Sequence, residues 1–169
     1  MVNDEIKTSI SRIGIGIYGM WPSENLRETY EKKIGELKPV IKWVTHIAQI
    51  KEIPKGFPIG YGLTYISSKE MRIAVIPQGY SDGYDRKLSN IGEVIIKENR
   101  CKVLGRVAMN MFVVDITNIK NVELEEEVTL LGKTQKLEIT AEETAEKIST
   151  INYEVTTRIS SKLPRVVQL

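Results

Sequence analysis

The chain has 169 residues, with 24 Lys and Arg against 22 Asp and Glu, one His and one Cys. That length suits one ordinary domain, or one domain and a fragment of another. A net charge of +2 with the signs intermixed gives no field for nucleic acid or an anionic membrane surface; no run of about 18 apolar residues spans a bilayer, and a lone Cys points to a reducing, cytoplasmic setting.

Val, Ile and Thr supply about 49 residues and Leu only about 11, so the composition leans toward strand, because β-branched side chains suit a pleated surface. In chain order, Arg12–Gly19 reads as a short buried strand whose interior glycines let backbone or ligand approach closely. Met20–Asn25 is loop, and 24–38 is charged and ambiguous. Val40–Ile53 is one long β signal with apolar residues on both faces, and Pro54-Lys55-Gly56 turns the chain. Ile59–Tyr65 is extended and punctuated by glycine; Met71–Pro77 alternates as a strand. Gly79–Tyr84 is turn chemistry with its aromatics exposed.

Further strands are expected near Gly92–Lys97, Cys101–Val107 and Met111–Ile116, then a hairpin over Glu127–Ile139. Thr140 and Glu143 form a capping box that opens a helix over Ala141–Ser149. Short strands near Glu154–Ile159 and Arg165–Gln168 close the chain. The expected fold is mainly β: a small antiparallel, β-barrel-like domain of about eight strands with one short helix.

Few residues stand out for chemistry. His46 reads as a half-buried strand histidine and Cys101 as a core or surface thiol. The acidic run Glu123–Glu127 reads as a solvated turn. Tyrosine and glycine in close company are more telling. Gly60-Tyr61-Gly62 sets a tyrosine between residues without side chains, Gly79–Tyr84 leads into Arg86, and Gly105–Met111 puts Arg106 at a strand end. Taken singly, each is more simply an edge aromatic or a strand boundary. Three such clusters in one small domain are harder to dismiss.

Six segments in order carry a resemblance: Arg12-Ile-Gly-Ile-Gly-Ile-Tyr-Gly19 with Pro22-Ser23, Gly60-Tyr-Gly-Leu-Thr-Tyr65, Ile76-Pro-Gln-Gly-Tyr-Ser-Asp-Gly83, Gly105-Arg-Val-Ala-Met109, Ile151-Asn-Tyr-Glu154 and Leu163-Pro-Arg165. Together they resemble the C-terminal β domain of the alanine racemases, pyridoxal-phosphate enzymes that interconvert L- and D-alanine. The resemblance implies that residues 1–37 are a remnant of the last strand of an N-terminal barrel with a linker, and that 38–169 are the β domain. It also implies a homodimer in which this domain completes the partner's active site, and a small amino-acid substrate.

By the same resemblance, Tyr61 is the base that acts on the α-hydrogen of one enantiomer, opposite a cofactor lysine. Two bases on opposite faces suit racemisation, since one removes a proton and the other delivers one. Holding a free tyrosine ionised near pH 7 would cost roughly 4 kcal/mol, so a group nearby must lower that cost. Arg12 would face the pyridine nitrogen; a guanidinium can only donate, so that nitrogen stays unprotonated. Gly14, Ile15 and Tyr153 would reach the cofactor phosphate. The Met109 amide would bind the substrate carboxylate, Tyr80 would line the substrate side, and Arg86, Arg106 and Ile151 would surround the access corridor.

Two departures stand beside this. Asn110 replaces the family's usual Asp, and the lysine motif Val-Lys-Ala-Asn-x-Tyr-Gly is absent from the 169 residues. The isolated chain is therefore expected to bind little cofactor and not to catalyse. The alternatives are a stand-alone β module that self-associates or pairs with a separate barrel protein, and part of a racemase for another amino acid such as serine.

Overall fold

The computed structural model describes residues 9–167, which divide into two compact units between Ile41 and Lys42. In the first unit the strand expected over Arg12–Gly19 is instead a 3-10 turn, Gly14–Tyr18. Gly14 starts it at φ +61°, where a strand cannot run, and Gly19 closes it at φ +71° with its N–H on the Gly16 carbonyl at 3.1 Å. A Cβ on Gly19 would lie 1.8 Å from the Lys38 carbonyl oxygen, so only glycine fits where this turn meets the segment 38–40. The ambiguous stretch holds a helix, α1 (Glu24–Ile34), none of whose residues is buried. Ser23 caps it, and its first turn is acidic and its last basic, as the helix dipole favours.

The second unit opens with two strands where one was expected: β1 (Trp43–His46) and β2 (Gln49–Ile53). Next come β3 (Pro58–Ile59), β4 (Tyr65–Ile66), β5 (Met71–Ile76), β6 (Glu93–Ile96), β7 (Asn99–Leu104), β8 (Phe112–Asp115), β9 (Glu127–Lys133) and β10 (Glu138–Ile139). Two helices end it, α2 (Ala141–Lys147) and α3 (Asn152–Arg158). The main sheet is antiparallel and eight-stranded, ordered β1-β9-β6-β7-β8-β5-β2, with β10 also on β9; β3 and β4 form a separate pair.

The break in the long β signal has a clear cause. β1 and β2 lie at opposite ends of the sheet order yet are joined by only Ile47 and Ala48. The Ile47 N–H donates to Glu126 at one end and the Ala48 N–H to Val75 at the other, at 3.1 and 3.0 Å. The sheet must curl until its ends meet there, which makes it barrel-like, and Ile47 is fully buried at the seam. Phe112, Ile76, Val94, Ile96, Val103, Val114 and Val128 are sealed in the same core.

The C-terminal region also departs from expectation. A short strand is expected near Glu154–Ile159, but Asn152–Arg158 is helical. The Thr156 and Thr157 hydroxyls donate back to carbonyls one turn earlier, so neither is stranded in the helix. No strand forms over 165–167, and Gln168 lies outside the described residues. The described residues thus hold three α-helices rather than one. Tyr84 is buried, not exposed: it stacks on Phe112 at 4.2 Å and meets Trp43 edge-on at 6.3 Å.

Candidate active site

Tyr61 sits at the tip of the β3–β4 hairpin, and Ile59 and Tyr65 at its base pack on Ile53, Met71, Ile73 and Leu104. Burial of that base fixes the loop, while Tyr61 itself is 71% exposed. The loop is a run of left-handed residues: Gly60 at φ +79°, Gly62 at +74° and Leu63 at +52°, with the Leu63 N–H on the Gly60 carbonyl at 3.0 Å.

The glycines at 60 and 105 serve close approach. A Cβ on Gly60 would lie 2.8 Å from the Arg106 nitrogen, and one on Gly105 would lie 2.7 Å from the Ile59 oxygen. The backbone after β7 is therefore pressed against the base of the Tyr61 loop. A Cβ on Gly62 would lie 3.1 Å from Arg106 Nη1, so the Arg106 side chain rests beside the residue that follows Tyr61.

Tyr80 and Met109 are tied by backbone. The Tyr80 N–H donates to the Ala108 carbonyl at 3.2 Å, and the Ser81 N–H and Oγ both donate to the Met109 carbonyl, at 3.0 and 2.7 Å. The Met109 carbonyl is thus satisfied, while its N–H has no acceptor among the described residues. Both side chains are exposed.

From the Tyr80 loop the contacts run on to α3. The Gly83 backbone passes the end of α3 so closely that a Cβ would lie 2.4 Å from the Arg158 oxygen, and the Ser160 N–H donates to the Asp82 carbonyl at 2.9 Å. Arg158 pairs with Asp85 and, at 3.0 Å, with Glu154. Tyr80, Gly83, Asp85, Arg86 and Arg158 line an open recess of about 380 Å³. Tyr153 is half-buried in the first turn of α3, and Ile151, its N-cap, is 59% exposed.

One continuous set of contacts in the second unit thus joins Tyr61, Arg106, Met109, Tyr80, Arg86 and the helix bearing Ile151 and Tyr153. Arg12, Gly14 and Ile15 lie in the first unit. There Arg12 is exposed and Ile15 buried, and a Cβ on Gly14 would meet nothing within 4 Å. Four residues in the second unit's contacts were missed from sequence: Asp85, Ser89, Asn90 and Arg158. The signal for two was present, since Ser-Asn after a short helical turn is turn chemistry and Asn tolerates positive φ. Asn90 stands at φ +64°, its Oδ1 accepts the Gly105 N–H at 2.7 Å, and Ser89 Oγ accepts the Val107 N–H at 3.0 Å.

Cys101 is inert by burial, which pushes its thiol up to about 12. No group of three or more His, Cys, Asp or Glu is arranged for a metal ion among the described residues, and no helix there is long and apolar enough to cross a membrane.

Comparison with known proteins now decides the family. The sequence profile of the alanine racemase C-terminal domain matches residues 40–167. The chain belongs to this family. It is 42% identical over 154 residues to the alanine racemase of Halothermothrix orenii, covering 91% of this chain and 39% of that protein. A crystal structure of alanine racemase from Bacillus anthracis with bound L-Ala-P superposes with a TM-score of 0.80 at 37% identity, covering 86% of this chain and 36% of that one. Another, from Bartonella henselae with covalently bound pyridoxal phosphate, gives 0.77 at 27%, covering 90% and 40%. This racemase domain spans about two-fifths of the length of the curated relatives it matches.

Proposed function

We propose that this chain is the part of a pyridoxal-phosphate-dependent alanine racemase that supplies one of its two bases and its dimer contact. The observation that carries the reading is Tyr61, solvent-facing at the tip of an anchored loop whose conformation needs glycine on both sides. In the assembled enzyme Tyr61 takes the α-hydrogen of one enantiomer, or returns it, from the face opposite the cofactor lysine. The free Met109 amide receives the substrate carboxylate and Tyr80 bounds the substrate. Arg86, Arg106 and Ile151 flank the approach, where the two arginines draw in a carboxylate by charge. Residues 1–37 join this domain to an N-terminal barrel, and a second subunit brings Tyr61 to a cofactor it does not itself hold.

The chain's own donors fit part of the cofactor. The turn at Gly14–Tyr18 has an N-cap, Ile13, that offers no side-chain acceptor, and open space lies over Gly14. The first amides of such a turn lack internal partners and suit a phosphate oxygen. Gly14 and Ile15 would hold that phosphate, and Arg12 would donate to the ring nitrogen. When bound, pyridoxal phosphate supplies the electron-withdrawing ring that acidifies the substrate's α-hydrogen.

Tyr61→Phe in the racemase that carries this chain tests the reading. Deleting a positioned base removes about 10²–10⁴-fold of rate. A loss of that size in both directions, with cofactor binding retained, is expected; a variant that racemises alanine at the parental rate would overturn it.

A further inference from the structure

β7 ends at Leu104, so the next amides have no strand to pair with. Two of them are nevertheless satisfied. The Gly105 N–H donates to Asn90 Oδ1 and the Val107 N–H to Ser89 Oγ, and these amides flank Arg106. Val107 is fully buried, and a buried amide left without an acceptor is costly. Ser89 Oγ in turn donates to the Arg86 carbonyl. Two adjacent side chains thus do what a neighbouring strand would otherwise do.

The segment they hold is the one pressed on the Tyr61 loop. The space between Gly60 and the Gly105–Arg106 backbone is too small for a methyl group on either side, so a shift of one moves the other. We infer that Ser89 and Asn90 are positioning residues for Tyr61 and Arg106, acting through the Gly105–Val107 backbone. This rests on the reading of Tyr61 as a base; the link from Asn90 to the loop does not. Asn suits the place twice over, since its oxygen reaches the amide and it tolerates φ +64° better than most residues.

The test separates acceptor from backbone. Asn90→Gly removes the acceptor and keeps the left-handed conformation; Asn90→Asp keeps the acceptor. In the racemase that carries this chain, Asn90→Gly is expected to lower kcat by about 10–100-fold, the scale of a misplaced catalytic group, with KM changed less. The α-deuterium isotope effect should rise for the enantiomer whose hydrogen Tyr61 takes and not for the other, and Asn90→Asp should restore most of kcat. Amide exchange at Gly105 should accelerate in Asn90→Gly, and at Val107 in Ser89→Ala. Unchanged kcat and isotope effect in Asn90→Gly, alongside an inactive Tyr61→Phe, would overturn the positioning role alone. Unchanged exchange at Gly105 would overturn it whatever Tyr61 does.

Discussion

Gly105 and Gly56 share a left-handed backbone and differ in their surroundings. Gly105 sits at φ +75° with a would-be Cβ 2.7 Å from the Ile59 oxygen, whereas Gly56 sits at φ +83° with nothing within 4 Å. Alanine at 56 carries only the conformational cost, about 1–2 kcal/mol. Alanine at 105 adds a backbone collision, so its cost should exceed that of Gly56→Ala by about 1 kcal/mol or more and should also slow racemisation by shifting the Tyr61 loop. Urea unfolding of the two variants, side by side, measures the first difference. The glycine clusters were visible in the sequence. Invisible there was which backbone each glycine admits, because Ile59 and Gly105 meet only after two hairpins have closed.

Among the elements, α2 shows how a local rule is half kept. Thr140 Oγ1 accepts the Glu143 N–H at 3.0 Å as a capping box requires. The Glu143 carboxylate does not return the favour. It binds Arg100 at 2.6 and 3.0 Å and Lys147 at 2.9 Å, and Arg100 and Lys147 also hold Glu93 on β6. The guanidinium of Arg100, with Lys147 behind it, outweighs partial burial and holds the Glu143 carboxyl at about 2 against an ordinary 4.5. Its folded value is depressed, so its stabilisation is complete above pH 4.5 and drains away as pH falls toward 2. Glu143→Gln should therefore flatten that acid limb, by about 1 kcal/mol once solvent screening is allowed for. Urea midpoints at pH 7 and pH 3 for parent and variant read it directly. The cap was legible because it spans three residues; the pairing with Arg100 spans forty-three, and periodicity says nothing about such distances. The same limit explains α3, whose Val155, Thr156 and Thr157 favour strand locally and are overruled by tertiary context.

Across the whole molecule, the sheet and the family were the legible parts, since alternation marks strands and the ordered glycine and tyrosine segments mark the relatives. Where the long β signal breaks was not legible, for Ile47 is as β-prone as its neighbours. The expectation that this chain does not catalyse alone rests on its lack of a Val-Lys-Ala-Asn-x-Tyr-Gly segment, and it has a direct test. Given pyridoxal phosphate and borohydride, the purified chain should form no trapped adduct at stoichiometric yield and should not racemise alanine. Mass spectrometry and a chiral amino-acid assay measure the two outcomes, and robust turnover would sink the expectation.

The crossing at Ile47 and Ala48 also sets an order of assembly. β1 finds its partner only in β9, where Trp43 lies opposite Leu131, while β2 pairs with β5 within about thirty residues. During synthesis β1 therefore waits, with Trp43 and Val44 unpaired, until β9 (Glu127–Lys133) has been made. Long-range pairing of this kind is slow because loop entropy is lost before any contact repays it. The meander from β6 to β8 can form early, and the seam closes last. A ribosome that stalls late in this chain would leave an open sheet with sticky ends, ready to find the wrong neighbour.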